Sequence, residues 1–419
     1  MTTLEVLTED AGHARLVGRA HFTQGRAQLS TTFVYDPTYL AEGGTTIDPG
    51  LLLVSGQQHQ PGLLRALADS APDRWGRNLL DKAERTRARE EKRALRSLDD
   101  LSYLLGVSDD TRQGALRLRL PGTDTYLGAP STVPPLVSLP RLLRASDHLA
   151  SDDDPSDAVK QLLDTGTTGL GGARPKASVR LEDGGLAIAK FPHSSDQWDV
   201  MAWEATMLDL LESAGIQTPQ RRLVTIGERS VLILRRFDRT SAGHRRGYIS
   251  AMTATGSQDG EHRDYADIAE AVRDISLSPR QDHRELFDRV VASVALGNTD
   301  DHLRNHGFLF ERGSWVLSPA FDVNPTPDVT KSRSTSIAGA ESPPDEVDGL
   351  LALADDLSLT VAAARDRMAD VAAALGSWRE QARRHGIAER EITMMGESIA
   401  PRLEAVTDAG RASASHGGA

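Results

Sequence analysis

Apolar and polar residues alternate over residues 14–18 and 28–35, a period of two that predicts a small antiparallel sheet with tight turns early in the chain. The period lengthens to that of a helix over 61–88 and 98–105, then returns to two over 114–120, which stops at Pro121-Gly122. Residues 130–140 are rich in proline and read as a linker, and 151–155 as a polar turn between helical segments. Beyond Thr165 the pattern is richer. Two short strands are predicted at 177–181 and 186–191, divided by Asp183-Gly184-Gly185, and a helix at 203–211 that Gly215 ends. Two further strands follow at 222–226 and 230–238, with Gly227-Glu228 between them. Helical periodicity occupies 265–275 and 285–296, a hairpin is expected from 307–310 and 315–317 around Arg312-Gly313, and 345–407 is helical with a break at Gly386. The stretch 323–344, rich in Ser, Thr and Pro, is expected to be a mobile loop, and the small, polar tail 410–419 to be disordered.

Composition narrows the classes. At 419 residues the chain exceeds one ordinary core, so several packed units are expected. Apolar residues at 39% and charged ones at 26% describe a soluble globular protein, and no apolar run is long enough to span a bilayer. The absence of cysteine excludes disulfides, thiolate metal sites and a Cys nucleophile, and it suits a cytoplasmic location. A net charge of -12 argues against direct binding to nucleic acid, which rests on clustered Lys and Arg. The alternating charges of 85–96 read as a solvated helix face.

Candidate chemistry concentrates in Gly297-Asn298-Thr299-Asp300-Asp301-His302-Leu303-Arg304-Asn305-His306. An Asp and an Asn five residues apart on one short loop suit phosphoryl transfer, the first orienting a hydroxyl and the second holding magnesium against nucleotide phosphates. Asp322 follows the predicted hairpin, placed to face the same metal as Asn305. Upstream, residues 165–176 hold four glycines, and consecutive N–H groups there can form a phosphate-binding concavity, although a plain turn is the commoner meaning of such a stretch. Lys190 shares a strand face with Leu186 and Ile188, either snorkelling from an edge or reaching a nucleotide's phosphates. Glu204 stands near a helix start, where it can pair with Lys190 or answer the helix dipole. The strand exit at Arg235-Arg236-Phe237 would be a hinge where a purine bonds the backbone.

Glycine loop, lysine strand, acidic helix, hinge, Asp/Asn loop, hairpin and Asp is the order of parts in a protein kinase. More narrowly, Gly171-Gly172-Ala173-Arg174-Pro175-Lys176, Ala189-Lys190-Phe191, Arg236-Phe237-Asp238-Arg239, the loop from Asn298 to Asn305 and Leu317-Ser318-Pro319-Ala320-Phe321-Asp322 resemble the HipA family of toxin kinases. Asp69-Ser70-Ala71-Pro72-Asp73-Arg74-Trp75-Gly76-Arg77 resembles that family's amino-terminal region. The resemblance implies an α+β, two-lobed protein-kinase-like fold, with an N-terminal β-rich subdomain over 1–135, an ATP-binding strand-rich lobe over 136–237 and a helical catalytic lobe over 238–409. It also implies serine/threonine kinase activity with ATP and Mg2+, a HipB-like helix-turn-helix antitoxin as partner, and DNA only through that antitoxin. An aminoacyl-tRNA synthetase is the implied substrate. By position, Asp300 is the catalytic residue and Asn305 and Asp322 the metal ligands. Gly169, Gly171, Gly172, Ala173, Lys190, Glu204, Arg236 and Phe237 are the nucleotide-binding set.

One position departs from the family pattern. Gly169 stands where better-known members carry a Ser that autophosphorylates, with Thr167 and Thr168 as possible substitutes. Asp301 and His302 are expected to shape the loop through side-chain to backbone hydrogen bonds. Two rival readings stand beside the kinase. A metal-dependent hydrolase would use Asp300, Asp301, His302 and His306 as ligands, and a catalytically silent kinase fold would serve as an antitoxin-binding corepressor module.

Overall fold

The computed structural model describes residues 1–10, 12–25, 28–151, 156–169, 172 and 174–412, the side chains of 10, 150 and 151 excepted. The chain divides into two compact units, the first made of Met1–Asp196, Val224–Ile249 and Leu309–Gly313, the second of Gln197–Leu223, Ser250–Phe308 and Ser314–Ala419.

In the first unit the early alternation becomes a five-stranded sheet of β1 (Thr2–Asp10), β2 (His13–Gln24), β3 (Leu29–Tyr35), β4 (Gln57–Pro61) and β5 (Leu116–Arg119), in the order β4-β3-β2-β1-β5. The acidic start of the chain is thus a strand: Leu4 and Val6 are buried while Glu5 and Glu9 find arginines across the sheet, Glu5 accepting from Arg119 at 2.8 Å. A second sheet runs β6 (Lys176–Arg180), β7 (Leu186–Lys190), β9 (Arg229–Arg235) and β8 (Arg221–Ile226), in that order. One of its faces, Ala177, Val179, Ala187, Ala189, Val231 and Ile233, packs on Leu139, Leu142 and Leu143 of the helix Leu139–Ser151. That helix starts inside the stretch read as a linker, because its leucines have this sheet to cover. The opposite face carries Lys176, Ser178, Ile188 and Lys190.

The second unit is mainly helical. Its centre is Pro279–Ala295, which opens with Pro at the first turn and buries Leu286, Phe287, Val290, Val291, Val294 and Ala295. It packs against Val361–Leu375 and Glu389–Arg411. Asp199 caps Val200–Ser213, and Asp264 with Asp267 forms a capping box at the start of Tyr265–Ile275. The expected hairpin is present as Gly307–Glu311 and Ser314–Leu317, its turn made by Arg312 and Gly313 at φ 50° and 84°, with Leu309–Gly313 counted in the first unit. The final helix reaches Arg411, so Gly410 lies within it rather than in a tail, and 413–419 fall outside the described residues. Among the described residues no helix is long and apolar enough to cross a membrane.

Candidate active site

The loop of greatest interest begins where Pro279–Ala295 ends. Gly297 adopts φ 67°, and a Cβ there would stand 2.8 Å from Ser398 Oγ, so the turn out of the helix requires glycine. Leu303 then anchors a single 3-10 turn, Leu303–Asn305, at 7% exposure. Between these points the two neighbouring aspartates part. The Asp300 side chain is 69% exposed, with Lys331 Nζ 3.9 Å from its Oδ1. Asp301, 5% exposed, turns inward.

Asp301 is the hub of a buried network. Its carboxylate accepts from the Tyr265 hydroxyl and from Ser293 Oγ at 2.9 Å, and it pairs with His306 Nε2 at 2.9 Å. Its carbonyl accepts from Thr335 Oγ1 at 2.6 Å. Burial by itself would raise this carboxyl's pKa. The charge and hydrogen bond of His306, the Tyr265 hydroxyl and the nearby Arg333 outweigh it and hold the group well below the usual carboxylate range. Burial and the Asp301 charge push Tyr265 well above its ordinary value. Arg333 in turn donates to Glu346 at 2.9 Å, and Arg402 bonds the other oxygen of Glu346. The loop is thus clasped at both ends, Asp301 to His306, with Asn305 inside the clasp. Sequence reading placed Asp301 in a scaffolding role through backbone contacts; the partners of its carboxylate are side chains instead, one of them, Tyr265, far away in sequence.

Asn305 Nδ2 donates to the Asp300 carbonyl at 2.9 Å, which turns its amide oxygen the other way. Asn305 lines a recess with Asn298, Asp301, His306, Phe321 and Val323, so it faces the immediate neighbours of Asp322. Asp322 itself sits at φ 58°, with Asn324 Nδ2 3.5 Å from its Oδ1. The donors Asn305 and Asp322 are hard oxygens of the kind that magnesium takes alongside water and phosphate. Among the described residues no group of three or more His, Cys, Asp or Glu side chains is placed to hold a metal ion. The ligand set of the hydrolase reading is divided: Asp301 and His306 bind each other in the interior, while Asp300 and His302 are exposed.

In the first unit, Lys190 lies directly across the sheet from Lys176, at 8% and 4% exposure. Lys190 does share its face with Ile188, as the alternation predicts. Of the glycine loop, Gly171 and Ala173 lie outside the described residues. Gly172 has φ 93° and donates its N–H to Asp73 Oδ2 at 2.7 Å, so an anion already occupies this amide. Gly169 is buried, and a Cβ on it would meet Val107 Cγ1 at 2.5 Å. Thr167 and Thr168, at 0% and 1% exposure, spend their hydroxyls on the carbonyls of Lys176 and Gly106. Neither hydroxyl is open to modification in this conformation.

Arg236 departs from expectation. Its guanidinium is buried, donating to Asp238 at 2.8 Å and to the Thr111 carbonyl at 2.6 Å, and its N–H bonds the Leu186 carbonyl at 3.0 Å. Both groups are consumed inside the first unit, so Arg236 is a structural residue and offers no side chain or N–H to a base. Burial raises Asp238, but Arg236 and Arg239 outweigh it and keep the carboxylate ionised. Phe237 is half-buried, its ring centre 6.3 Å from that of Tyr248. Glu204 is buried in the second unit on Val200–Ser213, at 1% exposure. Sequence reading missed Tyr265, Ser293, Asn324 and Lys331, none of which stands in a motif; only their position in space connects them to the loop.

The HipA-like C-terminal domain family matches residues 168–379, half of the chain. The chain belongs to that family. The α+β class follows, and the fold is shared over nearly all of the chain with a solved structure. A chain of the Shewanella oneidensis MR-1 toxin–antitoxin complex of HipA, HipB and operator DNA superposes with a TM-score of 0.64, at 15% identity over 97% of this chain and 96% of that one. Among curated family relatives, "Putative kinase" of Haemophilus influenzae is 26% identical over 31% of this chain and 43% of its own length. "Putative kinase Y4mE" of Sinorhizobium fredii is 24% identical over 40% of this chain and 45% of its own length. The chain thus spans less than half the length of these curated relatives.

Proposed function

We propose that the chain is an ATP-dependent kinase that transfers the γ-phosphoryl group to a serine or threonine hydroxyl of a protein. The observation that carries the reading is the division of labour within one loop: Asp300 exposed, Asp301 buried as its anchor, and Asn305 tied to the Asp300 carbonyl. Such a loop presents one carboxylate to a hydroxyl and one amide oxygen to a metal from a fixed frame. Fixed positioning is most of what phosphoryl transfer asks of a protein.

In this reading Asp300 orients the hydroxyl and receives its proton, and Asn305 and Asp322 hold Mg2+. When bound, the metal neutralises charge on the β- and γ-phosphate oxygens. Lys190 and the glycine loop from Gly169 to Ala173, apart from the Gly172 N–H that Asp73 holds, bind the phosphates, with Glu204 as the acid assigned to Lys190 and Phe237 as a wall for the base. The names of the relatives from Haemophilus and Sinorhizobium support kinase chemistry. The Shewanella complex supports a HipB-like helix-turn-helix antitoxin as partner, with DNA engaged through that partner. A translation factor such as an aminoacyl-tRNA synthetase is the proposed target.

Purified protein incubated with γ-labelled ATP, Mg2+ and a bacterial lysate is expected to label a protein band. Asp300→Asn and Lys190→Met should each abolish it. An unlabelled lysate, or a band of equal strength with Asp300→Asn, would overturn the reading in favour of a silent fold that only binds its antitoxin.

A further inference from the structure

The segment after Asp322 is stitched to the loop that carries Asp300. Thr326 donates its N–H to the Gly297 carbonyl at 3.1 Å and Ser334 donates to that of Thr299 at 2.9 Å. The Thr335 hydroxyl bonds the Asp301 carbonyl at 2.6 Å, and Arg333 Nη2 reaches the Asn298 carbonyl at 3.4 Å. Between these ties the chain turns around Asp328, whose carboxylate accepts from the N–H of Thr330 at 2.9 Å and from its hydroxyl at 2.7 Å. The Lys331 N–H then points to the Asp328 carbonyl at 3.4 Å. This built turn sets Lys331 Nζ 3.9 Å from Asp300 Oδ1.

As a stabilising contact the pair counts for little. Its side chains are 45% and 69% exposed, where solvent screens an ion pair almost completely. Neighbouring cations are committed elsewhere: Arg304 forms two hydrogen bonds to Asp259 at 3.0 and 2.7 Å, and Arg333 is buried against Glu346. Lys331 is therefore a cation held at the solvent-facing carboxylate of the loop by four hydrogen bonds that involve neither charge.

We propose that Lys331 is a catalytic residue: it donates to a non-bridging oxygen of the phosphoryl group as that group passes to the hydroxyl oriented by Asp300. The inference rests on the kinase reading above. In the step, the hydroxyl oxygen bonds to the γ-phosphorus while the bond from that phosphorus to the β,γ-bridging oxygen breaks. ADP leaves with the electron pair, the hydroxyl proton passes to the Asp300 carboxylate, and Lys331 keeps its proton throughout. Its contribution is a charge already in place where negative charge spreads over the transferring oxygens.

The test is steady-state phosphorylation with ATP varied, for the wild-type chain, Lys331→Met and Lys331→Arg, alongside thermal melting of each. Lys331→Met should lower kcat on the order of 10²-fold, as loss of one preorganised donor does elsewhere, with KM for ATP almost unchanged. Lys331→Arg should recover most of the rate, and the melting temperatures should agree because the side chain is exposed. A kcat for Lys331→Met equal to or above wild type overturns the proposal, the latter making the lysine a cap on Asp300. A loss confined to KM overturns it as well. Wild-type protein that transfers no phosphate overturns the kinase reading and this inference together, whereas active wild type with unimpaired Lys331→Met overturns this inference alone.

Discussion

Two adjacent aspartates show how far position outweighs residue type. Asp300 contributes nothing to packing, so Asp300→Asn should cut the phosphorylation rate by about 10²- to 10⁴-fold and leave the melting temperature where it was. Asp301→Asn should do something different, because it removes the charge that answers His306 and Arg333 in the interior. Breaking one side of a buried pair costs about 3–5 kcal/mol, which urea unfolding at neutral pH measures directly. The pH dependence has a definite sign. The Asp301 carboxyl is held below its unfolded value of about 3.9, so its stabilisation is complete above that pH and is lost as pH falls through the folded value. Wild type should therefore lose more stability than Asp301→Asn as the solution is acidified from neutrality to below about pH 4. Equal losses would remove Asp301 from the role of hub. The sequence identified this loop and its Asp/Asn spacing. It also assigned Asp301 to shaping the loop, but not the side chains that its carboxylate meets in the interior, since no spacing specifies those.

At the scale of elements, the loop depends on how its helix ends. Gly297 is in the left-handed region against Ser398, so Gly297→Ala should cost about 1–2 kcal/mol for the conformation alone, with more from the contact. Because Thr326 bonds the Gly297 carbonyl, the same change should lower kcat as well as stability. A variant with an unchanged urea midpoint would show that the turn tolerates a side chain. The helix Tyr265–Ile275 and the strands β6 to β8 were legible within a residue, since their apolar faces repeat without interruption, whereas the helix expected from 285 already starts at Pro279 and the strand expected to reach 238 ends at Arg235. Strand β4, Gln57–Pro61, was not: it is polar throughout, and only its pairing with β3 makes it a strand. The stretch 323–344, expected to be mobile, is held by bonds to the loop that carries Asp300, which no local composition announces.

The whole molecule is assembled from segments that cross in sequence. The first unit takes Val224–Ile249 from beyond the start of the second, and β7 needs β9 as its neighbour, with Ile188 opposite Leu234 and Lys190 opposite Leu232. A fragment of residues 1–196 would lack that strand and expose one edge of β7 together with the apolar face that Val231 and Ile233 complete. Expressed alone, it should fail to unfold cooperatively in a thermal melt followed by circular dichroism, whereas the full chain should give a sharp transition. A sharp melt from the fragment would show that β6 and β7 fold without β9.

By itself the sequence determined the periodicities that make these helices and strands, the Lys190 face, and the loop with Asp300 and Asn305. It also carried the motifs that place the chain in its family, because each of these is local. Only the tertiary structure decided which side chains Asp301 anchors, that Arg236 spends its guanidinium and N–H on Asp238, Thr111 and Leu186, and that Lys331 stands beside Asp300. Those facts depend on which distant groups a side chain meets when water is excluded, and no spacing along the chain specifies that meeting.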